Sequence, residues 1–325
     1  MQGRYRSILV PLDGSELAEQ ALPAALNVAR HHGAALHVVR VYVPIAGVYG
    51  EHAVPYDEAL DRELMRRAQD YLDHVVARLA SGASIQATAA LREGSIADTI
   101  TRHATAVGAD LLVMTTQGRG PLGRFWLGSV SDELVRQAGM PILFVRPRQG
   151  EPDFAPEPAV RRVLVPLDGS RLSELILDPV LDLWDPGRTE YTLLQIVRPT
   201  AELNYGPAGG SVTGLQEALQ HLRELEQQGL KGAHDYLEAL AARLRARSFN
   251  VKTRVVADEQ TANAILDDAA AHAADLIALA TRGRGGLKRL MVGSVADKVL
   301  RGADLAVLVY RPTESSLGSA DTLCR

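Results

Sequence analysis

Two stretches of the chain have the residue types and spacing to hold a phosphate. The first, Thr115-Thr-Gln-Gly-Arg-Gly-Pro-Leu-Gly-Arg-Phe-Trp-Leu-Gly-Ser129, follows an apolar run (110–114) and precedes an amphipathic one (130–137). That order reads as strand, glycine-rich loop, helix. Such a loop turns backbone N–H groups toward an anion, the helix N-terminus adds positive potential, and glycine removes the Cβ that would block close approach. The design returns at Ala280-Thr-Arg-Gly-Arg-Gly-Gly-Leu-Lys-Arg-Leu-Met-Val-Gly-Ser294, 165 positions on. Ser129 and Ser294 can cap the following helix or give a hydroxyl to a phosphate. Arg119 and Arg284 recur at one loop position and can add charge-assisted hydrogen bonds; the alternative is a solvated surface charge. Asp13 and Asp168 lie in matching Val-Pro-Leu-Asp-Gly-Ser stretches 155 positions apart. Each can face a ligand, or do no more than cap the turn into a first helix.

The elements that must position these groups alternate. Residues 7–12 read as a strand. Residues 16–32 have helical spacing, with Leu17, Ala21, Leu22, Ala25, Leu26 and Ala29 on one side, Ser15 as N-cap, Gly33 as the stop and Pro23 bending the middle. A strand (35–43), a loop (44–56), a helix carrying Leu60, Leu64, Ala68, Tyr71, Leu72, Val75 and Leu79, a strand (85–91) and a helix (95–107) follow. The fourth strand leads into the glycine-rich loop, and after the fourth helix comes a fifth strand (141–145). Residues 148–159 form a proline-rich linker, after which the pattern restarts. Strands alternating with helices predict an α/β fold, two tandem doubly wound domains (1–147 and 160–312), each on a parallel sheet. Residues 313–325 read as a disordered tail. The second unit holds ten extra residues, expected within 200–230, where Gly206-Pro-Ala-Gly-Gly210 reads as mobile loop and Leu215, Leu219, Leu222 and Leu225 as a helical stripe. That stripe either packs on its own domain or serves as a lid or partner surface. In an open parallel sheet the ligand crevice lies beyond the carboxyl ends of the strands. With the first and fourth strands as neighbours, a nucleotide fits between Asp13 and the 115–129 loop.

A net charge of −4 over 325 residues argues against a dedicated nucleic-acid binder. The single cysteine, Cys324, allows no intrachain disulfide and fits a reducing, cytoplasmic setting. No apolar run approaches the roughly 20 residues of a membrane helix, and the N-terminus lacks the apolar core of a signal peptide. Gly118-Arg-Gly-Pro-Leu-Gly123 matches the dinucleotide fingerprint. It follows a fourth strand, however, and no acidic residue lies about 20 positions on, so an NAD-linked enzyme is the weaker alternative. No nucleophile, metalloprotease or Walker motif is present; His31 and His32, at a helix end, read as surface or helix-dipole partners, and His37 as a structural side chain. No catalytic residue or metal ligand set is assigned.

Here the residues resemble a known family. The paired Val-Pro-Leu-Asp-Gly-Ser stretches, with loops of the form glycine, two residues, glycine, nine residues, glycine-serine, resemble the universal stress protein family, in two tandem units of roughly 4–147 and 160–312. The resemblance implies a five-stranded parallel sheet in the order 3-2-1-4-5 with helices on both faces. It also implies ATP, with Mg²⁺ bound through its phosphates, held for a stress response by binding rather than catalysis. Adenine is then expected near Asp13 and Val41, and near Asp168 and Ile196. Ribose is expected near Pro11, Pro166 and the first motif positions, Thr115 and Ala280. Phosphates are expected on Gly118, Gly128 and Ser129, on Gly283, Gly293 and Ser294, and on the first helical turn at Val130, Ser131 and Val295. Pairing of fifth strands (141–145 with 305–309) would make the tandem an internal pseudo-dimer, with a homodimer as further assembly. Two departures stand out: Thr115 and Ala280 replace the motif's first glycine, and Glu259 stands where the first unit has Gly94. They motivate the alternative of an interaction module of this fold that holds no nucleotide.

Overall fold

The computed structural model describes residues 5–44, 57–82, 85–116, 128–147, 150, 152–154, 160–199, 212–281 and 293–312, with the backbone alone at 82 and 212–219. Short apolar runs without polar alternation form the inner strands, because a parallel strand is covered on both faces. In the first unit these are β1 (Ser7–Pro11), β4 (Leu111–Thr115) and β5 (Ile142–Val145). In the second they are β6 (Arg162–Pro166), β9 (Leu276–Ala280) and β10 (Ala306–Tyr310). Outside them lie β2 (Ala35–Tyr42) and β3 (Ala87–Glu93), and β7 (Glu190–Val197) and β8 (Asn250–Ala257). All belong to one sheet in the order β3-β2-β1-β4-β5-β10-β9-β6-β7-β8. The strand pairs within each unit are parallel; β5 and β10 pair antiparallel, with Phe144 opposite Val307 and Ile142 opposite Val309. The fifth strands therefore join the units and cover each other's edges.

The helices are α1 (Glu16–Glu19), α2 (Leu22–His32), α3 (Glu58–Gly82), α4 (Ile96–Ala106) and α5 (Ser129–Gln137) in the first unit. The second holds α6 (Arg171–Glu174), α7 (Leu177–Leu181), α8 (Val212–Ala246), α9 (Thr261–Ala271) and α10 (Ser294–Gly302). Alternate strand residues feed opposite faces, so each face has its own core, and each core runs through both units. One holds Ile8, Val10, Leu72, Val163 and Leu237; the other holds Leu9, Leu134, Phe144, Ile265 and Leu300. No described helix is long and apolar enough to cross a membrane.

Several local expectations are corrected. The 16–32 segment is two helices: Ser15 caps α1 and Gly33 (φ 66°) ends α2, but the chain turns at Gln20–Ala21. Pro23 occupies the second position of α2, where its missing N–H leaves no intrahelical bond unmade, so it starts a helix rather than bending one. Leu17, assigned to the apolar side, is 39% exposed. The third strand starts at Ala87, two residues later than the apolar run. The extra length of the second unit is helical, α8 having 35 residues against 25 in α3. Gly229 of α8 lies against Val197, the last residue of β7, so the turns before it run beyond the strand end. Finally, Gly94 N–H donates to Tyr42 O and Asp258 N–H to Val197 O at the same place in the two sheets. Asp258, not Glu259, is therefore the counterpart of Gly94.

Candidate functional site

Parallel pairing sets the carboxyl ends of β1, β2 and β4 on one edge. Pro11 lies opposite Val39 and Leu9 opposite Leu112, and Leu12 N–H donates to Val39 O at 2.8 Å. Continued past the last paired residues, this register sets Pro11, Asp13, Val41 and Thr115 along that edge. In the second unit Pro166 lies opposite Leu194 and Leu164 opposite Ile277, which gathers Pro166, Asp168, Ile196 and Ala280 in the same way. β1 and β6 have their units' successive strands on opposite sides, which makes these edges topological switch points.

The Asp-Gly-Ser stretch builds the turn there. Asp13 Oδ1 accepts from Ser15 N–H (2.8 Å) and Ser15 Oγ–H (2.6 Å), while Ser15 Oγ accepts from Ala18 N–H at 3.1 Å. Asp168 Oδ1 accepts from Ser170 N–H (3.0 Å) and Ser170 Oγ–H, and Ser170 Oγ accepts from Ser173 N–H at 3.2 Å. Gly14 (φ 84°) and Gly169 (φ 77°) take the left-handed backbone that a Cβ disfavours. Each aspartate therefore has the turn-capping role.

Beside each turn is a half-buried phenol. In the first unit Glu19 is buried and ion-paired to Arg78 at 2.7 Å. Burial, then the charge of Glu19, pushes the Tyr71 phenol up; Asp13 adds a smaller push, and Arg40, 5.1 Å above the ring, opposes it. In the second unit Tyr236 Oη–H donates to Glu174 Oε1 at 2.9 Å, and burial, Glu174 and Asp168 push its phenol up against Arg243. Sequence reasoning missed this constellation. Its signal was the recurrence of Glu19 as Glu174 and of Tyr71 as Tyr236 at the two repeat offsets.

The phosphate half is described at its helix ends. Gly118, Arg119, Gly283 and Arg284 lie outside the described residues. Gly128 and Gly293 are the N-caps of α5 and α10, and neither helix has a side-chain cap. Ser129 and Ser294 are exposed at the first helical position, so the expectation that they cap is corrected. The first intrahelical bonds are Asp132 N–H to Gly128 O (3.0 Å) and Asp297 N–H to Gly293 O (2.9 Å). The N–H groups of Ser129, Val130 and Ser131, and of Ser294 and Val295, precede those bonds and have no intrahelical acceptor. Among the described residues, a Cβ at Gly293 would meet nothing within 4 Å, and one at Gly128 only Ser131 Oγ at 4.0 Å. No described residue closes either helix end. Ser131 has a buried side chain and offers its backbone, and Thr115 is likewise buried.

Arg146, just after β5, was also missed. It gives N–H groups to Thr116 Oγ1 (3.2 Å), Leu300 O (2.8 Å), Arg301 O (3.1 Å) and Ala303 O. Arg311, after β10, reciprocates by donating to Arg136 O at 2.6 Å. Each unit thereby holds the carboxyl end of the other's last helix, where a cation also suits the helix dipole. Of the histidines, His37 Nδ1 lies 2.8 Å from Thr88 Oγ1 and His32 Nε2 lies 3.2 Å from Leu183 O across the units. Among the described residues no group of His, Cys, Asp or Glu could hold a metal ion.

A parallel sheet whose first strand has its successive neighbours on opposite sides places each unit in the class of doubly wound α/β folds. A profile of the universal stress protein family matches residues 4–146 and again 159–311. The chain belongs to the universal stress protein family, with two family domains in tandem. A universal stress protein of Mycobacterium tuberculosis is 29% identical over 323 residues, covering 94% of this chain and 94% of its own. One from Thermus aquaticus is 37% identical over 142 residues, 44% of this chain and 99% of its own length. In fold, the crystal structure of a universal stress protein from Archaeoglobus fulgidus resembles the chain with a TM-score of 0.64 at 17% identity, over 95% of this chain and 100% of that one.

Proposed function

We propose that the chain binds ATP at the switch-point edge of each unit and acts in a cytoplasmic stress response through nucleotide occupancy, without catalysis. The observation that carries this reading is the pair of uncapped, open helix starts at Gly128 and Gly293, on the edge that also holds Asp13 and Asp168. Uncapped first-turn N–H groups and the positive end of a helix dipole suit phosphate oxygens. The donor set therefore fits a nucleotide. Phosphates would rest on the N–H groups of Ser129, Val130 and Ser131, and of Ser294 and Val295, with Mg²⁺ held through the phosphates. The Ser129 and Ser294 hydroxyls, exposed and not used as caps, are free to donate as well. Adenine and ribose would lie along Pro11, Asp13 and Val41, and along Pro166, Asp168 and Ile196.

Isothermal titration of nucleotide-free protein with ATP and magnesium tests the reading. Saturable binding is expected, along with ATP in the ligand released from freshly purified protein. Absence of heat at millimolar ATP, with nothing co-purified, would leave an interaction module of the same fold. A second chain completing a homodimer belongs to the same proposal; sedimentation with and without ATP checks it.

A further inference from the structure

The edge of the second sheet opposite Asp168 carries a cavity of about 340 Å³. We propose that this cavity binds a small oxyanion, a phosphomonoester or a dicarboxylate, at a site separate from the switch-point clefts. Strand register builds it. Arg162 lies opposite Glu190, Thr192 opposite Lys252, and Leu194 opposite Arg254, so Arg162, Lys252 and Arg254 share the sheet face that α9 covers. α9 stops at Ala271, and the cavity opens between its end and the beginnings of the three strands.

The wall holds three permanent cations, Arg162, Lys252 and Arg254, and two carboxylates, Glu190 and Asp268. Lys252 Nζ pairs with Glu190 Oε2 at 2.7 Å. Arg254 Nη1 donates to both oxygens of the buried Asp268 at 2.8 Å and lies 2.7 Å from His272 Nδ1. Two pairs are thus neutral and one cation is left over. The Arg162 guanidinium has no ion pair or hydrogen bond with a described residue; its backbone N–H is held by Asp275 at 2.8 Å. Arg254 Nε and Nη2 likewise have no described partner, while Nη1 is fixed by a carboxylate only 6% exposed. Unused guanidinium donors on a guanidinium already locked in place are a preorganised oxyanion receptor.

The fold does not require these charges. At the same positions the first unit has Ser7, Ala35, Thr88, Ala90, His103 and Val107. The volume falls at the lower end of small-ligand pockets, about 300–1,000 Å³, which sets the size of the guest.

The test is isothermal titration of the full chain with inorganic phosphate and, separately, succinate, on wild type and Arg162→Gln, each presaturated with ATP and magnesium so that the helix starts at Gly128 and Gly293 do not contribute. Arg162 is exposed, so the variant keeps its fold, and circular dichroism checks that it does. Loss of one charge-assisted contact is expected to weaken binding about tenfold in Arg162→Gln. A response to phosphate alone supports a phosphomonoester, and one to succinate alone a dicarboxylate. No binding of either probe at millimolar concentration overturns the proposal, as does binding that Arg162→Gln leaves intact. Loss of ATP binding leaves this site untouched, so the two readings fail separately.

Discussion

The turns at Asp13 and Asp168 match bond for bond, whereas the opposite edges of the two sheets share almost no chemistry. At that far edge the first unit buries His103, whose pKa is lowered by burial and by Arg92. The second buries Asp268 and fixes it with Arg254 and His272. At the carboxyl edge, α3 starts beside Tyr42, whose hydroxyl donates to Asp61, while α8 starts well before Gly229 meets Val197, with Leu225 exposed between. The Asp-Gly-Ser turn needs one carboxylate, one left-handed glycine and one hydroxyl at fixed positions, so it repeats or it is lost. A buried polar position asks only that whatever stands there be satisfied, and a neutral histidine and a paired carboxylate are two answers.

The largest expected effect breaks the second answer. Arg254→Met strands a buried carboxylate and should cost about 3–5 kcal/mol in urea unfolding, with Asp268→Leu added to it recovering most of the loss. A loss confined to a few tenths would mean that Asp268 is hydrated and the units are not different in kind. Next come the two clamps between the units. Arg146→Met removes several charge-assisted bonds and should cost about 2 kcal/mol, against less than about 1 for Arg311→Met, which removes one exposed bond. Equal losses would make the seam symmetric. Smaller still, Ser15→Ala and Ser170→Ala should each cost about 1 kcal/mol through the lost cap, and by the same amount in both units. Unequal values would show that the turns match in geometry and not in energy.

The gentlest contrast is in pH. His32, His37 and His103, all in the first unit, have pKa values lowered chiefly by burial. The unfolded chain therefore takes up protons first as pH falls below about 6.5, and stability drops there while staying level above it. Urea midpoints from pH 7.5 to 5.5 should decline, and His103→Gln should flatten that decline. A flat wild-type profile counts against the buried, neutral histidine.

Much of the site was legible because its parts are close in sequence. Asp13 and Ser15 are two residues apart, and a helix following Gly128 is read from its own periodicity. What escaped was spread along the chain. Tyr71 meets Glu19 from α3, Arg146 reaches Leu300 from the other unit, and Arg254 finds Asp268 across a strand and a helix. Pro23 was misread because a proline two residues into a helix and one in the middle look alike until the break at Gln20–Ala21 is seen. The exposed Leu17 follows from the same break, since two short helices do not share one apolar stripe. Gly94 was matched to Glu259 because counting assumes a constant offset, and only the hydrogen bond to Val197 O shows the shift to Asp258.

Composition and order alone determined that this chain alternates apolar strands with amphipathic helices, does so twice, and ends two strands in the same hydrogen-bonded turn. Each of those features is satisfied by neighbours within a few residues, so the local sequence carries it. Only the tertiary structure decided that β5 and β10 lie side by side, that Arg146 and Arg311 clasp opposite helices, and that one far edge holds a guanidinium with unused donors. Those contacts join residues from distant parts of the chain. They depend on strand register and on where a helix stops, which local spacing does not encode.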